Sequence, residues 1–133
     1  MKFLVVGPGA MGCLFAARLR IAGNEVALAD HDKHRAQKIN EQGIKVTGIS
    51  GTYEVRIPTA VGTAPFTPDF ILICVKSTDT RAAGEGVFGS MGKETMVVTL
   101  QNGLGNMEIL EEIFGPGRVL GGVTAEGATL VDE

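Results

Sequence analysis

Short apolar runs recur along the chain, and most do not alternate with polar residues. Phe3-Leu4-Val5-Val6 is the first, Val26-Ala27-Leu28-Ala29 follows Glu25, and Met96-Val97-Val98-Thr99-Leu100 comes late. The strongest is Phe70-Ile71-Leu72-Ile73-Cys74-Val75. Continuous apolarity over so few residues means burial on both faces, as in parallel strands covered by helices. Helical spacing fills the gaps between the runs. Residues 13–22 stop at Ala22-Gly23-Asn24, residues 33–42 stop at Gly43, and residues 106–114 close at Gly115-Pro116-Gly117. Another helix starts at Ser77-Thr78-Asp79-Thr80, a run of candidate N-caps, but Gly84, Gly86 and Gly89 weaken its second half. Residues 44–47 and 53–57 break the pattern. Both alternate, with Gly48-Ile49-Ser50-Gly51 between them, which predicts an antiparallel hairpin. Pro58, Pro65 and Pro68 then mark a loop, residues 118–124 read as a further strand, and residues 128–131 as one more. The whole predicts an α/β fold, a doubly wound and mostly parallel sheet with an antiparallel hairpin insertion.

The connection after the first strand carries chemistry. Gly7-Pro8-Gly9-Ala10-Met11-Gly12 lies between an apolar strand and a helix, where first-turn N–H groups and the positive end of the helix dipole can hold a pyrophosphate. In this Rossmann-type pattern Gly7 permits the tight turn, Gly9 lets a cofactor backbone approach, and Gly12 packs the helix close to the sheet. Pro8 has no N–H, so the donors are those near Ala10 and Met11, and Pro8 stiffens the turn. Asp30 ends the second strand about twenty residues later, where such a unit places a carboxylate against the adenosine ribose. The competing role, capping the next helix, is open to Asp30 and also to Asp32. His31, Lys33, His34 and Arg35 form a small basic cluster beside it, able to meet a 2′-phosphate.

Composition narrows the classes. With 133 residues, 44% of them hydrophobic and 20% charged, the chain is one domain with room for a core and too little for two. A net charge of −3, no Trp and 5% aromatic residues leave neither a basic stripe nor stacking platforms for nucleic acid. There is no apolar run long enough to span a membrane, and no signal-peptide pattern, so a cytoplasmic location is expected. The 2 cysteines, Cys13 and Cys74, fall on a helix and in an apolar run and read as reduced, buried small hydrophobes. The histidines lack partners at metal spacing, so no metal site is expected.

Ligands of an open parallel sheet bind beyond the carboxyl ends of its strands, near the point where strand order reverses. Gly7, Asp30, Lys76, Asn102 and Thr124 all stand at or just past predicted strand ends. Lys76 follows a fully apolar strand, which favours a functional role over that of a solvated surface lysine. Asn102 can serve equally as a turn former, since it precedes Gly103.

Together with the glycine turn, Cys74-Val75-Lys76-Ser77, Leu100-Gln101-Asn102-Gly103-Leu104-Gly105-Asn106 and Gly122-Val123-Thr124-Ala125-Glu126-Gly127-Ala128 resemble the N-terminal domain of the ketopantoate reductase (2-dehydropantoate 2-reductase) family, in the family's order and through the whole chain. The resemblance implies NADPH-dependent reduction of 2-dehydropantoate, a small 2-keto acid, to pantoate in pantothenate and coenzyme A synthesis. It implies that Lys76 and Asn102 face the nicotinamide and the substrate as catalytic, positioning residues, and that the stretch from Gly7 to Gly12 holds the pyrophosphate. Family members commonly carry an arginine after the second strand for the 2′-phosphate of NADP; here His31 stands there, preceded by Asp30. A carboxylate suits a free 2′-hydroxyl better than a 2′-phosphate, so NADH is expected to be accepted or preferred, with Lys33 and Arg35 as the cations that could still serve NADP(H). The family's general-acid lysine and a substrate-binding glutamate lie in a helical C-terminal domain. No residue of this chain has a claim to proton delivery, so the chain reads as a fragment of a protein of about 300 residues, inactive alone. Apolar surface left by an absent domain also invites a homodimer. Two other readings share the glycine turn: a different two-domain hydroxy-acid dehydrogenase, and a non-enzymatic dinucleotide-sensing regulatory module.

Overall fold

Side-chain alternation along the strands divides their residues between two cores. Leu4 and Val6 of β1 (Lys2–Val6), Ala27 and Ala29 of β2 (Glu25–Ala29), and Ile71 and Ile73 of β6 (Phe70–Ile73) face one way. They pack with Leu110 and Phe114 of α4 (Asn106–Phe114) and Val87 of α3 (Thr80–Val87). Val5, Val26 and Leu28 face the other way, against Ala16 and Ala17 of α1 (Ala10–Ile21). Both faces are therefore covered, which is why these strands read as unbroken apolar runs. The computed structural model describes residues 1–48, 51–101 and 105–122.

Six strands form one parallel sheet in the order β5-β2-β1-β6-β7-β8, where β5 is Thr59–Ala60, β7 Met96–Thr99 and β8 Val119–Gly121. The chain winds outward from β1 in one direction, then returns to β6 on its other side and winds the opposite way. The β1/β6 boundary is thus the reversal point at which such sheets bind ligands. The hairpin of β3 (Ile44–Gly48) and β4 (Gly51–Val55) stays outside this sheet as an antiparallel pair, and Ile44 and Val55 seal the end of the α1 core. α2 (Lys33–Gln42) lies beside β5 with its boundaries as the sequence predicts.

Several expectations are corrected. The second hairpin strand is Gly51–Val55, because the pairing begins with Gly48 opposite Gly51 and ends with Ile44 opposite Val55; Ile57 is buried beyond the strand. The proline-marked loop contains the short strand β5. Its outward backbone groups are met by a side chain: Asn40 donates to the Thr59 carbonyl and accepts from the Thr59 N–H, both at 2.8 Å. α3 continues through Gly84 to Val87 despite the poor propensity of glycine. A Cβ at Gly84 would stand 2.8 Å from Ile113 Cδ1, so close α3–α4 packing takes advantage of the missing side chain. No side chain caps α3; its entry is a 3-10 turn over Ser77–Asp79. β6 ends at Ile73 and β7 at Thr99, and α1 begins at Ala10, three residues before the sequence suggests. The strand expected at 128–131 lies outside the described residues.

Candidate functional site

The early start of α1 places its first turn directly on the glycine turn. Gly9 is the N-cap and no side chain caps the helix, so its first N–H groups are left for water or a ligand. Gly7 has φ +98° and donates to the Ala29 carbonyl at 3.0 Å, which ties the turn to β2. A Cβ at Gly7 would lie 2.7 Å from Val75 Cγ1, and one at Gly12 would run into the Gly7 carbonyl oxygen. Internal packing alone therefore demands glycine at both positions. Gly9 is different: its backbone, at φ −75° and ψ −169°, suits any residue, and among the described residues, its chain neighbours aside, no atom lies within 4 Å of a Cβ built there. The room at Gly9 fits a group that approaches from outside, as the pyrophosphate of a dinucleotide would.

Asp30 follows β2 at the same sheet edge, but its carboxylate is turned inward. The side chain is 0% exposed, accepts from Arg35 Nε at 2.6 Å and Nη2 at 2.7 Å, and takes the Asp32 N–H at 3.1 Å. Burial, the largest influence on this carboxyl, pushes its pKa up. The Arg35 hydrogen bonds, the Asp32 N–H and the charges of Arg35 and His31 outweigh burial and bring it below the usual 3.8. The cap of α2 belongs to Asp32, whose Oδ1 accepts from the N–H groups of His34 and Arg35. His31 is exposed, with Nδ1 3.8 Å from Asp30 Oδ1. The edge thus presents His31, Lys33 and His34 to solvent around a carboxylate already paired with an arginine.

Lys76 is exposed and lies three residues past the end of β6, between Val75, which packs on Gly7, and Ser77, which opens the 3-10 turn. Asn102 and Thr124 lie outside the described residues. Sequence reasoning missed what holds the Lys76 segment. Gln101 Nε2 donates to the Val75 carbonyl at 2.7 Å and to Thr80 Oγ1 at 2.9 Å, while Gln101 Oε1 accepts from Thr99 Oγ1 at 2.8 Å. Thr80 is fully buried, and its hydroxyl hydrogen is shared between Asn106 Oδ1 at 2.9 Å and the Ser77 carbonyl at 3.0 Å. Polar residues at the first turns of α3 and α4, both opening on this edge, were the available signal.

The cysteines lie beneath the turn. Cys13 Sγ donates to the Pro8 carbonyl at 3.3 Å. Burial pushes the Cys13 thiol up to about 11, against the lowering effect of Arg35, and pushes Cys74 up to about 12. Both are therefore neutral thiols near pH 7 and behave as packing groups. Among the described residues, no group of three His, Cys, Asp or Glu side chains gathers as a metal site, and no helix is long and apolar enough to cross a membrane. An open cleft of about 470 Å³, with Arg20, Asn24, Arg56 and Phe66 in its walls, lies at the opposite end of the strands and shares none of these residues.

Strand order, reversal point and glycine turn together define a Rossmann-type α/β domain. The family follows from direct comparison: residues 3–133 match the family model described as Ketopantoate reductase PanE/ApbA, and the chain belongs to that family. The 2-dehydropantoate 2-reductase of Aquifex aeolicus (strain VF5) is 42% identical over 122 residues, covering 90% of this chain and 37% of that protein. Among solved structures, 2-dehydropantoate 2-reductase from Geobacter metallireducens GS-15 superposes with a TM-score of 0.79 at 30% identity, over 92% of this chain and 41% of that one. D-mandelate dehydrogenase in a ternary complex with NADH and anilino(oxo)acetate gives a TM-score of 0.88 at 27% identity, over 99% of this chain and 43% of that one. The chain thus spans about two fifths of the length of these relatives.

Proposed function

We propose that this chain is the dinucleotide-binding domain of a two-domain 2-dehydropantoate 2-reductase, which reduces ketopantoate to pantoate with NADPH or NADH. The observation that carries this is the contrast within the glycine turn: Gly7 and Gly12 are required by the protein's own packing, while Gly9 opens on empty space at an uncapped helix N-terminus beside the sheet's reversal point. The pyrophosphate lies against the N–H groups of the first turn of α1, near Ala10 and Met11, with Pro8 stiffening the approach. The adenosine ribose lies by Asp30 and His31. Because Arg35 already neutralises Asp30, the electrostatic objection to a 2′-phosphate disappears, and with it the ground for expecting NADH to be preferred. A reduced nicotinamide supplies the hydride when bound. Lys76, with Asn102, orients the keto acid and the nicotinamide ribose at the strand ends, and its ammonium stabilises charge that develops on the keto oxygen. Proton delivery belongs to a second, helical domain.

The test uses the full-length protein. Ketopantoate should be turned over with NADPH, and Lys76→Ala should lower kcat/KM by at least about 100-fold, the scale of one lost oxyanion contact. Unchanged turnover in that variant would remove Lys76 from the site. A second reading, reduction of another 2-keto acid, is favoured by the likeness to D-mandelate dehydrogenase at 27% identity. Comparing kcat/KM for ketopantoate with that for aryl 2-keto acids decides between them.

A further inference from the structure

Lys76 is exposed and has no regular strand or helix of its own, yet both its neighbours are held by one half-buried polar network centred on the buried Thr80. On the N-terminal side, Gln101 Nε2 holds the Val75 carbonyl, and the Val75 side chain rests against Gly7. On the C-terminal side, Thr80 Oγ1 reaches the Ser77 carbonyl, and Asn106 Nδ2 donates to Ser77 Oγ at 3.3 Å. The two halves meet where Gln101 Nε2 donates to Thr80 Oγ1. Thr99 Oγ1 donates to Gln101 Oε1 and so fixes which end of the amide faces Val75. The network therefore joins the carboxyl ends of β6 and β7 to the first turns of α3 and α4, and it encloses the backbone on either side of Lys76. Thr80, Thr99 and Asn106 are buried, so leaving any of these three unpaired is costly, and that favours a single arrangement of the amide between them.

We infer that Gln101 and Thr80 are positioning residues that act through Lys76: they fix the backbone from Val75 to Ser77 so that the ammonium meets the keto acid in a single orientation, and they keep that segment in register with the glycine turn through Val75. This rests on the reading of Lys76 as a substrate-facing group. A lysine chain is flexible, and productive orientation has to come from its anchor. Gln101 is also the residue directly before Asn102 in the sequence, the second member of the proposed pair.

The experiment is a double-mutant cycle in the full-length enzyme, read in kcat, in KM for ketopantoate, in NADPH affinity by fluorescence titration, and in Tm. Thr80→Val keeps the shape and removes the hydroxyl; Gln101→Met keeps the length and removes the amide. Each is expected to lower kcat at least about tenfold, with NADPH affinity changed less than about twofold, and Thr80→Ser is expected to restore kcat. In a Lys76→Ala background, the same substitutions should lower kcat no further, because the group they position is gone. If Lys76→Ala reduces kcat but Thr80→Val and Gln101→Met leave it intact, or reduce it by the same factor in the Lys76→Ala background, the positioning role is wrong while Lys76 keeps its place. If Lys76→Ala leaves kcat unchanged, both fail. Should one variant not fold, Thr80→Ser against the parent and the remaining variant carry the cycle.

Discussion

Gly9→Ala isolates the ligand's demand on the glycine turn from the protein's own. The substitution places a methyl where, among the described residues and chain neighbours aside, no atom lies within 4 Å, on a backbone at φ −75° and ψ −169° that alanine adopts freely. Reduced entropy of the unfolded chain favours alanine by about 0.4–1 kcal/mol. The N-cap preference for glycine over alanine opposes it by about 0.5–1 kcal/mol. The two nearly cancel, so stability should stay within about 1 kcal/mol of the parent, a Tm change under about 4 °C for a protein of the relatives' size. Dinucleotide affinity should nevertheless fall at least about tenfold, or ~1.4 kcal/mol, because the methyl occupies the approach of the pyrophosphate. Gly12→Ala is the control. Its methyl collides with the Gly7 carbonyl, the turn must move, and a loss of about 1–3 kcal/mol is expected. Isothermal titration with NADPH and NADH, alongside thermal unfolding, reads both quantities. Parent-like affinity in Gly9→Ala would place the pyrophosphate elsewhere; a large Tm loss would show that Gly9 serves the fold after all.

Arg35→Ala should expose the Asp30 carboxylate to the 2′ end of the cofactor and weaken NADPH binding relative to NADH by about tenfold or more; an unchanged ratio of the two dissociation constants would separate the pair from the ribose. The Asp30 carboxyl is lowered on folding, so its stabilisation is complete above the unfolded value near 3.8 and is lost as pH falls through the still lower folded value. The Tm gap between the parent and Asp30→Asn should therefore be constant from about pH 7 to pH 5 and narrow below about pH 4, and a gap that does not narrow at all between about pH 4 and pH 2 would contradict the pairing. With their thiols raised to about 11 and about 12, Cys13 and Cys74 should alkylate slowly with iodoacetamide at pH 8 in the folded protein and rapidly once unfolded; fast labelling of the native state would show that one of them is exposed and ionised.

Much of the fold was legible because parallel strands buried on both faces leave unbroken apolar runs, and α2, β2 and α4 fall on the predicted residues. What stayed hidden depends on partners distant in sequence. β5 is two residues long and exists because Asn40 completes its hydrogen bonding. α3 survives its glycines because Ile113 and Leu110 press close on Gly84. At the site, the strand–turn–helix geometry of the glycine turn was legible because the packing that demands glycine at Gly7 and Gly12 recurs at fixed spacing. Asp30 was misjudged in its electrostatics, since spacing places a carboxylate at the ribose but does not reveal that a guanidinium five residues on has already claimed it. Thr80 read as one of a run of N-cap candidates and Gln101 only as part of a longer motif, because nothing local marks an amide that reaches from one loop to another.

The Asn40 amide has a consequence for how the sheet can grow. Thr59 supplies the outward-facing donor and acceptor of β5, and both are occupied by one side chain, so that margin is blunt. At the opposite margin, β8 shows Leu120 to solvent at 48% exposure and pairs with β7 only, among the described residues. Among the described residues the sheet is thus a one-ended template. Further strands, whether from the same polypeptide or from a neighbour, can be added beyond β8 and not beyond β5.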